Sequence, residues 1–250
     1  MEPPLGTEQP EETIRFEGAC YAIEGRTLVG PLDFSVRRAE TLVVLGESGS
    51  GKTTALRLIN RLLDPSAGSV LVEDRETTSW DPVRLRRKIG YMIQDIGLLP
   101  HLTVSQNVAL VPYLEGWESS RSESRVDELL DLVGLPPAEF GRRRPSELSG
   151  GQRQRVGVAR ALAADPPILL CDEAFGAVDP ITRRDLQREF KQLVHSLGKT
   201  VVFVTHDVLE ALAMADRIVL LENGKPSFMG DVSAFRNSNV PAVQALRDLL

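Results

Sequence analysis

The stretch Leu42-Val43-Val44-Leu45-Gly46-Glu47-Ser48-Gly49-Ser50-Gly51-Lys52-Thr53-Thr54 decides the fold. Its first four residues form a continuous apolar run, the mark of a strand covered on both faces, and the run Thr54 to Leu63 reads as a helix. Gly46 to Thr53 between them fits a phosphate-binding loop in both its letters and its strand-to-helix setting. Glycines let successive amides curl into one concavity, and the positive end of the following helix adds to the attraction for phosphate oxygens. Lys52 is then placed to reach the β and γ phosphates of ATP, and the Thr53 hydroxyl to bind Mg2+, with Thr54 the weaker candidate for that role. An ordinary glycine turn is the plainer reading, and the strand and helix on either side argue against it.

Outward from that loop, Ile168 to Cys171, Val201 to Val204 and Ile218 to Leu221 repeat the short apolar pattern. Helical segments lie between them, notably Val156 to Ala164 and Asp185 to Leu197, so the alternation predicts a parallel, helix-covered sheet. From Ile14 to Val44 apolar and polar residues alternate with Gly and Pro punctuation, which predicts short antiparallel strands. Between Val83 and Gly151 the strand signal weakens. Helical stretches around Val104 to Leu110 and Arg125 to Leu132 predict a helical lobe, about residues 95–160, inserted into the α/β core. Met1 to Glu12, rich in Pro and Glu, reads as a disordered lead-in to one domain spanning 13–250.

Composition sets limits. The 250 residues are 42% hydrophobic, enough to bury a substantial core. No apolar run approaches the roughly 20 residues that span a bilayer, and no signal peptide opens the chain, so a cytoplasmic protein is expected. Only Cys20 and Cys171 are present, and Cys171 sits in an apolar strand, so no disulfide framework is expected. The net charge of -6 comes with interspersed signs, and nucleic acid is not an expected partner.

The strand at Ile168 ends in Asp172-Glu173. Successive strand residues point to opposite sides, so one carboxylate can serve the metal shell and the other the attacking water. His206 follows the strand Val201 to Val204. In a parallel sheet the glycine loop, Glu173 and His206 would meet at the C-terminal rim, where such sheets bind ligands. Ser149-Gly150-Gly151-Gln152 opens a helix, with Ser149 a suitable N-cap and two glycines that leave amides accessible. By chemistry alone a plain capped helix accounts for that segment. Likewise Gln94 reads as a surface amide, Asp179 as a turn residue before Pro180, and Tyr21 equally as strand packing.

With these residues in view, the chain resembles the ATP-binding subunits of ABC transporters over about Ile14 to Gly230. Leu148-Ser149-Gly150-Gly151-Gln152-Arg153-Gln154-Arg155 is similar to the family signature, Gln94 to its lobe-linking glutamine and His206 to its switch histidine. The resemblance implies an ABC-type nucleotide-binding domain with an antiparallel β subdomain and a helical lobe. It implies catalytic roles for Lys52, Gln94, Glu173 and His206, and a Mg2+ site at Thr53, Gln94 and Asp172. It also implies an inter-site loop at Asp179 and adenine stacking on Tyr21. A head-to-tail homodimer is implied too, in which Ser149, Gly150, Gly151 and Gln152 meet the ATP held by the partner's Lys52, beneath membrane permease subunits fed by a solute-binding protein.

Ile93 to Val104 and Phe175 to Arg183 look like the osmoprotectant importers, which carry glycine betaine, carnitine, choline or similar amines. Departures from the family pattern are Ala174 for a usual Pro, Val178 for a usual Leu and Ala39 for a usual Gly. The sequence ends near Leu250 without the paired regulatory modules of many osmoprotectant ATPases, so ionic-strength sensing by such modules is not expected. Two other readings stand beside this one: a cassette of a lipid or amino-acid transport system, and a soluble ABC clamp ATPase without a permease.

Overall fold

The computed structural model describes residues 11–94, 96–176 and 178–248. The N-terminal part runs β1 (Glu12–Ile23), β2 (Arg26–Arg37), β3 (Thr41–Leu45), α1 (Lys52–Ile59), β4 (Ala67–Val72), β5 (Arg75–Glu76), α2 (Pro82–Arg87) and β6 (Ile89–Met92). The helices α3 (Val104–Leu114), α4 (Ser119–Leu132), α5 (Pro137–Phe140) and α6 (Gly150–Leu162) follow. The chain then returns through β7 (Ile168–Asp172), α7 (Pro180–Ser196), β8 (Thr200–Thr205), α8 (Val208–Met214) and β9 (Arg217–Glu222). It closes with β10 (Lys225–Asp231), α9 (Val232–Asn237) and α10 (Pro241–Arg247).

Two sheets result. One has the order β10-β9-β3-β8-β7-β6, parallel except for the antiparallel edge strand β10. The other is antiparallel, β2-β1-β4-β5. The period-2 alternation of side chains divides the core into two layers. Leu42, Val44, Leu170, Val202, Val204 and Leu221 face the antiparallel sheet and α1. Val43, Leu45, Leu169, Cys171, Val201, Phe203 and Leu220 face α6, α7, α8 and the helical lobe. A sheet covered on both sides needs apolar residues at every position, which is why these strands read as unbroken runs.

The predicted strands and helices at the parallel sheet are present, with boundaries shifted by a few residues. Four differences stand out. Helix α1 stops at Ile59 instead of Leu63, because Arg61 takes a left-handed φ of 53° that ends the helical path. In the stretch read as mainly helical, Ile89–Met92 forms β6; it pairs with β7 along one side only, and four residues carry little periodicity. The strands β4 and β10 are marked in the sequence by no clear alternation; β4 pairs with the distant β1, and β10 folds back on β9 in a hairpin through Asn223 and Gly224. Glu12, read as the end of the lead-in, opens β1, and Glu11 reaches Arg38 at 2.7 Å; residues 1–10 of that segment lie outside the described residues.

In the helical lobe α6 packs on α3 and α4 and also on β6 and α7, so it ties the lobe to the parallel sheet. No described helix is long and apolar enough to cross a membrane.

Candidate functional site

The loop between β3 and α1 is shaped by close approach. A Cβ on Gly46 would stand 2.4 Å from the Leu221 carbonyl oxygen and 2.5 Å from Ser50 Oγ, so only glycine fits. Gly51 precedes α1 with φ 97°, and no side chain caps the helix, so its first amides are not engaged by a capping residue. The buried Ser50 hydroxyl has no hydrogen-bond partner among the described residues. Lys52 folds back into the loop, its Nζ donating to the carbonyls of Gly46 at 2.8 Å and Glu47 at 2.7 Å. Burial pushes its pKa below the ordinary lysine value, against the opposing pull of Glu173, Asp172 and Glu47. Glu47, Ser48 and Gly49 form the outer lip of the loop, beside a cavity of about 220 Å³ that reaches Ala242 and Leu246 of α10.

Directly across the sheet, Thr53 Oγ1 donates to Asp172 Oδ1 at 2.7 Å. Its neighbour Thr54 makes no such contact with Asp172. After Asp172 the chain turns sharply: Glu173 adopts φ 47°, a conformation that costs a non-glycine residue on the order of 1–3 kcal/mol. Its amide donates to the Val204 carbonyl at 3.0 Å, which holds the turn against β8. The Glu173 carboxylate then lies between two other loops. Gln94 Nε2 donates to Oε2 at 3.4 Å, and His206 Nδ1 lies 3.2 Å from Oε1. The two adjacent acids therefore engage different groups, as the strand alternation predicts.

The signature segment is placed elsewhere. Ser149 caps α6 by accepting from the Gln152 amide at 3.2 Å, while Gln152 Oε1 accepts from the Ser149 amide at 2.9 Å. Gly150 begins the helix, and a Cβ on Gly151 would come within 3.0 Å of the Thr182 methyl carbon on α7. None of these hydrogen bonds reaches the phosphate loop. Asp179 caps α7 through the Thr182 amide at 3.1 Å, and those bonds hold its carboxyl below the usual aspartate range. Tyr21 is half-buried on β1 opposite Val29, whose Cγ2 would lie 3.1 Å from a Cβ on Gly51; β2, the strand paired with that of Tyr21, thus runs beside the loop. Asp95 and Ala177, which fall in the stretches Ile93 to Val104 and Phe175 to Arg183, lie outside the described residues.

Two residues at the site escape a reading of the sequence. Tyr91 of β6 donates its hydroxyl to Asp172 Oδ2 at 3.4 Å, from a strand too short to announce itself. Arg160 of α6 donates to the Gly97 carbonyl at 2.6 Å and to that of Ile96, clamping the segment after Gln94. Only a contact over more than sixty residues of chain reveals it.

Comparison with known proteins accounts for this arrangement. Residues 29–176 match the family model described as ABC transporter. The chain is 52% identical over 201 residues to the glycine betaine/carnitine/choline transport ATP-binding protein of Bacillus subtilis, covering 80% of this chain and 53% of that protein. It is 46% identical over 212 residues to the glycine betaine uptake system ATP-binding protein of Escherichia coli K12, covering 85% and 68%. The chain spans about half the length of most curated relatives it matches. Among solved structures, a dimeric ATP-binding cassette in a post-hydrolysis state, bound to ADP and Pi, superposes with a TM-score of 0.77 at 32% identity, covering 88% of this chain and 98% of that one. A phosphate loop facing two divided carboxylates, on a parallel sheet with a helical lobe, is therefore the cassette of a protein that belongs to the ABC transporter family.

Proposed function

We propose that the chain hydrolyses ATP to drive the import of a small solute, a quaternary-amine osmoprotectant. The observation that carries the hydrolytic reading is the convergence of Gln94 and His206 on the Glu173 carboxylate, beside the Thr53–Asp172 pair. Lys52 leaves the Gly46 and Glu47 carbonyls to meet the β and γ phosphates, exchanging two neutral acceptors for charged ones. The oxygen donors of Thr53, Asp172 and Gln94 suit Mg2+, which when bound neutralises charge on the phosphate oxygens. Glu173 orients the attacking water and accepts its proton, while His206 and Gln94 hold the carboxylate on either side. Tyr21 stacks on adenine.

Ser149, Gly150, Gly151 and Gln152 make no hydrogen bond to the phosphate loop of their own chain, which supports a second copy presenting them across a head-to-tail interface, with Asp179 in the loop between the two sites. The dimeric cassette with bound ADP and Pi supports the same assembly. The permease partner and the cargo rest on the relatives, whose names give glycine betaine, carnitine and choline transport. A groove in the helical lobe, lined by Ala109, Tyr113, Trp117 and Val126 and rimmed by polar residues such as Gln106, Glu123 and Asp127, suits an amphipathic coupling segment of the permease. The chain then works at the cytoplasmic face of the membrane, downstream of a solute-binding protein.

The test is Mg2+-dependent ATP hydrolysis by wild type and Glu173→Gln, with light scattering in the presence of ATP. The expected result is turnover by wild type only, and an ATP-held dimer of the variant. A wild type that neither hydrolyses nor dimerises, even with its permease, overturns the reading.

A further inference from the structure

One buried acid has no part in the site as described. Glu210, in the first turn of α8, is 7% exposed, yet its carboxylate is hydrogen-bonded on both sides. Oε2 accepts from the Thr205 hydroxyl, on the last residue of β8 and immediately before His206. Oε1 accepts from Gln187 Nε2 at 2.8 Å, on the buried face of α7. Thr205 Oγ1 in turn accepts from the Asp207 amide at 3.0 Å, so the turn that carries His206 is gripped on both flanks. Helix α7 starts at the Asp179 cap, and Arg183 in its second turn donates to the carbonyls of Gly176 at 3.2 Å and Val178 at 2.9 Å. These contacts connect the His206 turn, through α7, to the loop that follows Glu173.

A buried carboxylate is costly unless its acceptor sites are filled, and here both oxygens accept from buried donors that an apolar residue would leave unpaired. The acid therefore fixes the Thr205 and Gln187 side chains to one another across α7 and β8. Burial pushes its pKa above the ordinary glutamate value, against the opposing effect of the bonds from Thr205 and Gln187.

We propose that Glu210 is a positioning residue: through Thr205 and Gln187 it sets the orientation of the His206 turn relative to the Glu173 loop. The proposal rests on the hydrolytic reading above for its effect on turnover, and on geometry alone for its effect on His206. It assigns Glu210 no contact with nucleotide.

The experiment uses the full chain labelled at histidine Cε1, which has three histidines, His101, His195 and His206. Wild type, Glu210→Ala and Gln187→Met are compared by NMR and by steady-state ATPase kinetics, with folding followed by circular dichroism. In Glu210→Ala the His206 signal is expected to shift or split while those of His101 and His195 stay. The value of kcat falls about tenfold and KM for MgATP stays within about twofold, the pattern of a lost positioning contact. Gln187→Met, which keeps the carboxylate, moves the His206 signal in the same direction and lowers kcat about threefold; it serves if Glu210→Ala does not fold. An unmoved His206 signal in folded variants overturns the proposal, as does an unchanged kcat. If wild type itself lacks turnover, the hydrolytic reading fails while the NMR arm still judges the link.

Discussion

The molecule contains two glycine-bearing helix starts that look alike in sequence and differ in chemistry. At α1 no side chain caps the helix, Gly46 and Gly51 leave room only for backbone, and the Ser50 hydroxyl and Lys52 amine face into the loop. At α6 the reciprocal Ser149 and Gln152 bonds engage the amides of those two residues and leave those of Gly150 and Gly151 without a capping partner, and Gly151 approaches Thr182 closely. The first start has the acids Asp172 and Glu173 opposite it; the second has no hydrogen bond to either. A helix N-terminus becomes a strong anion site when its amides are free and neighbouring groups manage charge and metal. The start of α6 has free amides but no lysine, carboxylate or metal donor set bonded to it within its own chain, so its role needs a ligand brought from outside.

The largest effect is expected at the first start. Lys52→Ala should lower MgATP turnover by about a hundredfold or more, as expected for loss of a charged group at the transferring phosphate. Retention of most of the wild-type rate would erase the contrast between the two regions.

Mixing two inactive variants sharpens the comparison further. Lys52→Ala keeps an intact signature, and Ser149→Arg keeps an intact phosphate loop. If the α6 start acts on the partner's nucleotide, the mixture regains hydrolysis above the sum of the two separate samples, because heterodimers contain one complete composite site. A mixture as inactive as its components would place the signature in its own chain's site.

A smaller change separates capping from binding at α6. Ser149→Ala removes the acceptor for the Gln152 amide and should cost about 1 kcal/mol, visible as a thermal midpoint lower by a few degrees. An unchanged midpoint would mean that the cap contributes nothing to the fold and that the serine serves the ligand alone.

The smallest effect concerns pH. Burial raises the folded-state pKa of Glu210 above the ordinary glutamate value, so the folded state favours the protonated acid, and the stability it gains at low pH is lost as pH rises through the raised value. Glu210→Gln does not titrate there. The thermal midpoint of the variant should therefore improve relative to wild type between pH 4.5 and pH 7. A constant difference across that range would show that the carboxyl titrates as it does in the unfolded chain.

Much of this was legible in local pattern. The parallel strands announced themselves because both of their faces are buried, and the phosphate loop because its spacing has few other uses. The weak strands β4 and β6 did not, since pairing with distant partners, not periodicity, makes them strands, and β10 is held by its hairpin with β9 without an alternation of its own. Among site residues, Lys52, Thr53, Asp172, Glu173 and His206 came from motif and strand position, whereas Tyr91 and Arg160 came only from folded contacts.

By itself, the sequence determined the strand–loop–helix that can hold phosphate, the adjacent carboxylates with divergent directions, and the layered α/β order. Those are local properties: backbone freedom at glycine, alternation along a strand, and burial of apolar runs. The meeting of the glycine loop, Glu173 and His206 at one rim followed from strand ends in a parallel sheet; only the tertiary structure brought Gln94 to that rim and set the contacts there. Gln94, Glu173 and His206 come together because β6, β7 and β8 lie side by side with their C-terminal ends at one rim. Long-range pairing brings residues 79 positions apart into hydrogen-bond distance, and no spacing rule in a single chain encodes that.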